Sequence, residues 1–323
     1  MYRSVSITAP RVRWNTMLSD NLFGAAAAHA IRHELCTGHY DVILVNQLLC
    51  DLRPSVYEHV TPLVYIVHHP VEIDANLARM ESETIRQRFP WAVMYLGAVS
   101  AQRQAICAAD AIVTVSDSVR QYIEKRYTIP GIVAVIPNGI DTDFFHPLSR
   151  TSGTPMILST GSLLHPRKGF QYLLAVYHLL SHEGFRIVDV GRRSSEQERA
   201  LRDIPGIEVH GVIEREQLAE LYGEASVTLS TTLYEGFGLA LTESISCGTP
   251  VVAFEGGATE ETLKPLTGYR IVPARDVDGM VDAVHAILAS RQDPTTLHDI
   301  VAKTYPRTLM AERYDRFLAG ITS

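Results

Sequence analysis

The chain has 323 residues, 46% of them hydrophobic and 20% charged, which suits a globular protein of two domains with a core in each. Its formal net charge of −7 argues against a general nucleic-acid binder, because such proteins are normally basic. No apolar stretch approaches the roughly 18 residues that span a bilayer, and the first residues lack the pattern of a secretory signal, so we expect a cytoplasmic protein.

Short apolar and β-branched runs alternate with longer helical patterns along nearly the whole chain. In the first half this pattern predicts strands at 41–46, 62–68, 111–115 and 132–136. In the second half it predicts strands at 156–160, 186–190, 207–210, 226–229 and 250–254, and helices at 169–181, 214–223 and 277–290. Most of the strand runs are continuously apolar, as strands covered by helices on both faces are. The alternation therefore predicts an α/β fold with parallel sheets built from β-α-β units.

The segment Phe89–Leu96 (FPWAVMYL) is an apolar stretch of the first half. A buried helix is the favoured interpretation, because amphipathic and buried helices are commoner than membrane-facing ones. Peripheral contact with a lipid or with the inner face of the membrane is the alternative.

The alternation breaks once, where a turn-rich and polar stretch follows Pro137 and continues to Pro155. We therefore predict a first domain over residues 1–147 and a second domain over 148–308. A last helical pattern at 309–323 is expected to pack back across the first domain.

The most informative segment begins at Thr231 and reads TTLYEGFGLALTESISCGTPVVA. It follows a predicted strand and turns into an apolar helix, at the carboxyl ends of the strands where α/β sheets bind ligands. Free amides that open this helix would favour an anion such as diphosphate, and glycines would let the backbone approach it closely. The residues concerned are Gly236, Phe237, Gly238 and Leu239. Glu235 in the turn and Glu243 in the helix could hold two separate parts of an extended ligand, since carboxylates accept several hydrogen bonds.

This segment resembles retaining glycosyltransferase family 4, whose members carry two glutamates separated by seven residues in the same Glu-Gly-Phe-Gly-Leu and Cys-Gly-x-Pro-Val-Val context. The resemblance implies a GT-B-like fold, in which two Rossmann-like parallel-sheet domains face a cleft. It also implies that Glu235 contacts the hydroxyls of the donor sugar and Glu243 the ribose of the nucleotide. An ordinary helix start with one surface acid and one capping acid is the structural alternative, and the match of the whole string argues against it.

The loop that begins at Gly161 (GSLLHPRKGF) resembles the Gly-Arg-Leu and Lys-Gly loop of the same family. The resemblance implies that this loop holds the donor diphosphate, with Lys168 as a point charge and Arg167 as a fork of N–H donors. Ser162 stands where the family has arginine, and we expect Arg167 to compensate. Two solvated charges at a helix start are the structural alternative.

Two glycine-containing turns also fit the family. Gly256 and Gly257 match its Gly-Gly-x-x-Glu, which lines the donor site near the sugar and the phosphates, although a plain turn would look the same. Gly191 falls where the family has the first residue of Gly-x-Gly. The second glycine is replaced by Arg193, so we expect only Gly191 to keep its role there.

In the first domain the segments Ala109–Ser116 and Pro137–Asp141 resemble a preceding strand and the interdomain segment of the family. The family places a histidine after the strand that begins here at Pro62, where it faces the donor sugar across the cleft. The spacing favours His68 for this position, with His69 as the alternative and a structural role as a third interpretation.

The family's usual first strand and Gly-Gly loop have no counterpart ahead of residues 21–36. We therefore expect the N-terminal domain to be incomplete, lacking about 50 residues, the length of a β-α-β unit and its loops. This absence bears on the acceptor side more than on the fold.

The leading hypothesis is a retaining, metal-independent glycosyltransferase that moves a sugar from a nucleoside-diphosphate sugar to an acceptor hydroxyl and needs no cofactor. Glu235 and His68 would act at the sugar, while the cations and helix amides stabilise the leaving diphosphate. Asp141 and Asp143 spell the Asp-x-Asp of metal-dependent transferases, but without a second acidic cluster we predict no metal site there.

The alternative is a non-catalytic nucleotide-sugar-binding homologue or a partner subunit without a complete acceptor domain. The expected partners are a nucleotide sugar and an acceptor that is a sugar, a lipid or a small metabolite, and no nucleic acid. The oligomeric state is left open.

Overall fold

The computed structural model describes residues 29–30, 33–34, 36, 38–47, 61–82, 84–148 and 153–322. The chain divides into two compact units between Ile136 and Pro137, and the residues from Arg313 onward group with the first unit. Each unit contains its own parallel sheet, so the predicted α/β class is confirmed. The expectation of an incomplete first domain concerns residues that lie largely outside the described ranges, and it stays a prediction.

The first unit is built on a parallel sheet of order β1-β2-β3-β4. Its strands are Ile43–Asn46, Leu63–Val67, Ala111–Thr114 and Ile132–Val135. Every residue of the inner strands β2 and β3 is buried, whereas the edge strands β1 and β4 are partly exposed. The helices of this unit are α1 (Val71–Met80), α2 (Ile85–Ala108) and α3 (Asp117–Arg126).

Helix α2 is buried on one face only. Tyr95 packs with Val71 and Ala78 of α1, whereas Phe89 is 67% exposed and Leu96 is 71% exposed. The interpretation of this stretch as a buried helix therefore holds for the Tyr95 face and is wrong for the face that carries Phe89 and Leu96. None of the helices in the described part of the chain combines the length and the hydropathy needed to cross a membrane.

The second unit is built on a six-stranded parallel sheet of order β10-β9-β8-β5-β6-β7. Its strands, numbered from β5, are Met156–Thr160, Arg186–Val190, Ile207–His210, Val227–Ser230, Val251–Phe254 and Tyr269–Val272. Chain order runs outward from β5 through β6 to β7 and then returns to β8 on the other side. The strand order thus reverses between β5 and β8, and in such sheets the crevice beyond that reversal binds ligands.

Helices cover both faces of this sheet. In chain order these helices are α4 (Phe170–Leu180), α5 (Ser195–Arg202), α6 (Arg215–Glu224), α7 (Leu239–Ser246), α8 (Thr259–Leu263), α9 (Val277–Ala289) and α10 (Pro294–Thr304). The last helix, α11 (Arg307–Thr322), begins in the second unit, and its residues from Arg313 onward group with the first. The side chains of Ser194, Asp276 and Asp293 accept hydrogen bonds from first-turn amides of α5, α9 and α10. Helix α7, like α4 and α8, has no side-chain cap, and its N-cap residue is Gly238.

The segment that follows Pro137 packs within the second unit. Asp141 Oδ2 lies 3.0 Å from the guanidinium of Arg307 and 3.3 Å from that of Arg215. The same Arg215 guanidinium lies 4.0 Å above the ring of Phe144. The carboxylate of Asp141 is thus held by two arginines, and within the described ranges no group of three His, Cys, Asp or Glu side chains could hold a metal ion. The metal-independent mechanism stays a prediction.

Candidate functional site

Two turns at the carboxyl edge of the second sheet bring the predicted donor-site residues together. The turn after β5 contains a short 3-10 turn, Pro166–Lys168, and the turn after β8 carries Glu235. Lys168 Nζ donates to Glu235 Oε1 at 2.6 Å. Arg167 Nη1 donates to the carbonyl of Tyr234 at 2.7 Å and lies 3.9 Å from Glu235 Oε2. The predicted sugar-binding acid and the two predicted phosphate-binding cations therefore form one cluster.

This cluster keeps Glu235 ionised. Burial raises the pKa of Glu235, but the charges of Lys168 and Arg167 outweigh burial and hold that pKa below its ordinary value. The side chains of Lys168 and Glu235 are 25% and 18% exposed, so both can still be reached from solvent. A carboxylate in this state accepts further hydrogen bonds, for instance from sugar hydroxyls.

The Lys168 loop is held against the residues after β8 by close backbone contacts. Leu233 donates its amide to the carbonyl of Arg167 at 2.8 Å, and the hydroxyl of Thr231 donates to the carbonyls of Lys168 and Gly169 at 3.2 and 3.1 Å. Gly169 has φ +65°, and a Cβ there would meet the carbonyl oxygen of Thr231 at 2.2 Å. The glycine after the lysine is thus required by backbone packing.

Gly256 and Gly257 lie against the backbone of Glu235. The Glu235 amide donates to the Gly256 carbonyl at 3.3 Å, and the Ala258 amide donates to the Glu235 carbonyl at 2.8 Å. Gly257 has φ +61°, and a Cβ there would meet the Glu235 carbonyl oxygen at 2.2 Å. These glycines therefore fix the position of Glu235 directly, whatever further contact they make with a ligand.

The start of α7 has the features of an anion site. Gly238 has φ +98°, which favours glycine, and no side chain caps the first-turn amides of the helix. Phe237 is buried and meets the ring of Tyr305 edge to face, with centroids 5.2 Å apart. The first turn of α7 carries no acidic side chain. The positive end of the helix dipole thus has no capping side chain and no acidic side chain in its first turn, and binding of an anion there stays a prediction.

Glu243, inside α7, has surroundings unlike those of Glu235. Burial raises the pKa of Glu243 to about 7, and the positive charge of Arg215 only partly opposes this shift. The two glutamates of the motif thus differ in protonation near neutral pH, because one has cations beside it and the other is mainly desolvated.

Replacing Glu243 with glutamine should make the stability of the protein less sensitive to pH. The folded-state pKa of about 7 lies above the ordinary value of 4.5, so the folded chain binds more protons in that window and its stability falls as pH rises through it. Integrated to pH 8, this single group lowers the free energy of unfolding by at most about 3 kcal/mol. The measurement is urea denaturation of both proteins at pH 5 and pH 8, where the variant should gain on the wild type at the higher pH.

Glu220→Gln is the matched control, because Glu220 is exposed on α6. If the free energies of unfolding of Glu243→Gln and the wild type differ by the same amount at pH 5 and at pH 8, the raised pKa assigned to Glu243 is wrong.

Two residues outside the predicted set also take part in this region. Thr231 bridges the Lys168 loop, and Arg215, in the first turn of α6, is the charge that acts on Glu243. A sequence signal existed for Arg215, since a basic side chain in the first turn of a helix after a strand lies at the same edge of the sheet as the motif. Thr231 gave no signal beyond its place after a strand.

His68 lies in the first unit, at the end of β2. Its Nε2 atom is 2.5 Å from Asn46 Oδ1 on β1. Burial lowers the pKa of His68, and the neighbouring His69 adds to this effect, so the ring is neutral at neutral pH. His69 Nε2 lies 2.7 Å from Oδ2 of the buried Asp74, a contact within the unit. Both histidine rings thus have a side-chain partner within the first unit, and the choice of His68 for contact with a substrate stays a prediction.

Each half of the chain matches a family model of glycosyltransferases. The family described as Glycosyltransferase Family 4 matches residues 2–144, and the family described as Glycosyl transferases group 1 matches residues 154–290. A similar curated protein is the MMP alpha-(1->4)-mannosyltransferase of Mycolicibacterium hassiacum, which is 28% identical over 271 residues. That alignment covers 81% of this chain and 65% of the mannosyltransferase, so the chain spans just under two thirds of that relative.

Solved structures show the same fold. The sucrose-phosphate synthase of Thermosynechococcus elongatus superposes with a TM-score of 0.79 at 20% identity, covering 99% of this chain and 85% of that one. Anabaena HepE, in a complex with UDP and glucose, superposes with a TM-score of 0.66 at 14% identity, covering 96% and 84% of the two chains. At these identities the likeness concerns the fold, and it confirms the GT-B-like architecture of two parallel-sheet domains.

Proposed function

We propose that this chain, whose two halves match glycosyltransferase family models, transfers a sugar from a nucleoside-diphosphate sugar to an acceptor hydroxyl, with retention of anomeric configuration. The observation that carries the proposal is the cluster of Lys168, Arg167 and Glu235 beside the uncapped start of α7. It combines positive charge for a diphosphate with an ionised acceptor for sugar hydroxyls. A relative bound to UDP and glucose supports the same kind of ligand.

In the proposed reaction the diphosphate leaving group binds Lys168 and the first amides of α7. The ammonium group of Lys168 has three N–H donors, so it can keep its bond to Glu235 and donate to a phosphate oxygen as well. Glu235 orients the sugar through its remaining acceptor positions. Charge that develops on the leaving oxygen is stabilised by groups already in place, which is how a preorganised site lowers a barrier.

Retention and independence from metal ions belong to this proposal, as does a cytoplasmic location. The acceptor is a sugar, a lipid or a small metabolite, and nucleic acid is not expected. Contact of His68 with the donor sugar and contact of the exposed α2 face with a membrane surface stay predictions.

The proposal is tested by thermal shift with a panel of nucleoside diphosphates and nucleotide sugars. At least one should raise the Tm of the wild type, and Lys168→Ala should bind it roughly 10- to 100-fold more weakly, because a hydrogen bond to a charged group contributes about 1.5–3 kcal/mol. Lys264→Ala is the matched control, because Lys264 is an exposed lysine that follows the motif in the sequence and is not among the predicted site residues. Equal stabilisation of the wild type, Lys168→Ala and Glu243→Ala would contradict the donor-site assignment.

Turnover separates this proposal from the non-catalytic alternative. The enzyme should release nucleoside diphosphate from the nucleotide sugar that stabilises it best, either by transfer or by slow hydrolysis. Binding without transfer and without hydrolysis would support a nucleotide-sugar-binding partner subunit instead.

A further inference from the structure

Arg193 is a buried arginine at the turn after β6. Its side chain and that of Asp189 are both 0% exposed, and the closest atoms of the pair, Arg193 Nη2 and Asp189 Oδ1, are 2.7 Å apart. Arg193 Nε donates to the same oxygen at 2.8 Å. A buried pair of charges is expensive to desolvate, so its place in the fold calls for a reason beyond general stability.

The remaining N–H groups of Arg193 are taken by backbone carbonyls. Nη1 donates to the carbonyls of Gly161 at 2.6 Å and of Arg192 at 2.9 Å, and Nη2 donates to that of Val190 at 3.3 Å. Each of the three guanidinium nitrogens of Arg193 thus donates at least one hydrogen bond, and the Asp189 carboxylate lies beside the same group. Such a fixed fork defines the positions of the carbonyls around it.

The carbonyls belong to two turns that touch each other. Gly161, after β5, has φ +104°, and its amide donates to the Val190 carbonyl at 2.9 Å. Gly191, after β6, has φ +131°, and a Cβ there would meet the Gly161 carbonyl oxygen at 2.2 Å. The turn after β5 continues directly to Arg167 and Lys168. Arg193 therefore fixes the starting point of the loop that carries both cations.

The position of Asp189 is fixed by a further hydrogen bond, from Tyr177. The hydroxyl of Tyr177 on α4 donates to Asp189 Oδ2 at 3.3 Å, and Tyr177 is fully buried. The guanidinium thus rests on a carboxylate that cannot move away without breaking the core. Arg192, the neighbouring arginine, is exposed, so its side chain has no comparable position.

We propose that Arg193 and Asp189 are positioning residues for binding of the donor diphosphate. The guanidinium holds the Gly161 turn and so sets the distance and direction at which Arg167 and Lys168 meet the phosphates. Arg193 stands where a second glycine of Gly-x-Gly would be, so this chain fixes the turn with a side chain. This inference rests on the proposed function.

The test uses a double variant, Arg193→Met with Asp189→Leu, which removes both charges and so avoids leaving one buried alone. Each single variant is expected to be strongly destabilised for that reason. The affinity of the nucleoside diphosphate that stabilises the wild type best is measured by calorimetry, and that of the corresponding nucleoside by a ligand-observed NMR titration. We expect the folded double variant to lose at least 10-fold in affinity for the diphosphate and less than 3-fold for the nucleoside, since only phosphate contacts depend on the loop.

Arg192→Ala is the control, because it removes an adjacent arginine and keeps the backbone carbonyl. Unchanged diphosphate affinity in a folded double variant, or an equal loss for nucleoside and diphosphate, would overturn the positioning role. If the double variant does not fold, Arg193→Lys provides the same comparison with the charge retained and the fork removed. A wild-type chain that binds no nucleoside diphosphate would overturn the proposed function, and this inference with it.

Discussion

We expect Glu235→Gln to reduce sugar transfer by roughly 100-fold or more while nucleoside diphosphate binding falls by less than about 10-fold. Glutamine has nearly the size of glutamate but lacks the negative charge that Lys168 and Arg167 stabilise at this position. Two consequences follow for a bound sugar. Its hydroxyls lose a charged acceptor, and Lys168 loses the partner that fixes it at 2.6 Å. The measurement is kcat/KM for transfer beside the Kd of the free nucleoside diphosphate.

Glu220→Gln provides the matched control here also, because it removes one negative charge from an exposed position on α6. Transfer at the wild-type rate in Glu235→Gln would contradict a role in orienting the sugar. An equal loss of nucleoside diphosphate affinity would show that Glu235 acts mainly by placing Lys168.

The Gly257→Ala variant should be destabilised by at least about 3 kcal/mol, whereas Gly184→Ala should lose only about 1 kcal/mol. Both glycines have positive φ, +61° and +80°, so both substitutions introduce backbone strain. They differ in what the new Cβ meets. At Gly257 it would lie 2.2 Å from the carbonyl oxygen of Glu235 and 2.9 Å from the ring of Tyr234, and at Gly184 nothing lies within 4 Å.

The difference between these two free energies of unfolding isolates the contact with Glu235 from the cost of the conformation. It is measured by urea denaturation at one pH. Because any relief of the clash must move the backbone of Glu235, donor binding should fall in Gly257→Ala and stay unchanged in Gly184→Ala. Equal destabilisation of the two variants would mean that strain alone accounts for the glycine.

Much of the fold could be predicted because the strands of a covered parallel sheet are short apolar runs. All nine predicted strands are present within the described ranges, with ends that differ by no more than two residues. The sequence pattern did not predict strand β10. It lies at the edge of the sheet, where the pattern of YRIV is only partly buried, so no continuous apolar run marks it.

The sequence predicted which loops form the candidate site, but it did not predict which side chains contact each other there. Lys168 and Glu235 are 67 positions apart in the chain, and only the parallel topology brings the ends of β5 and β8 to one edge. That they form an ion pair depends on side-chain directions that residue types do not encode. Arg193 is the clearest case, because its replacement of a glycine looks like the loss of a motif until the carbonyls around it are seen.

The ion pairs of Asp141 with Arg215 and Arg307 determine where a fragment that contains only the second unit should begin. The Phe145 ring stands edge to face on Tyr222 at 6.2 Å, and the Ser246 hydroxyl donates to the Phe145 carbonyl at 2.6 Å. A fragment that starts at residue 148 would uncover Tyr222 and deprive Arg215 of its carboxylate partner. A fragment that starts at Pro137 keeps the Asp141, Phe145 and Ser246 contacts.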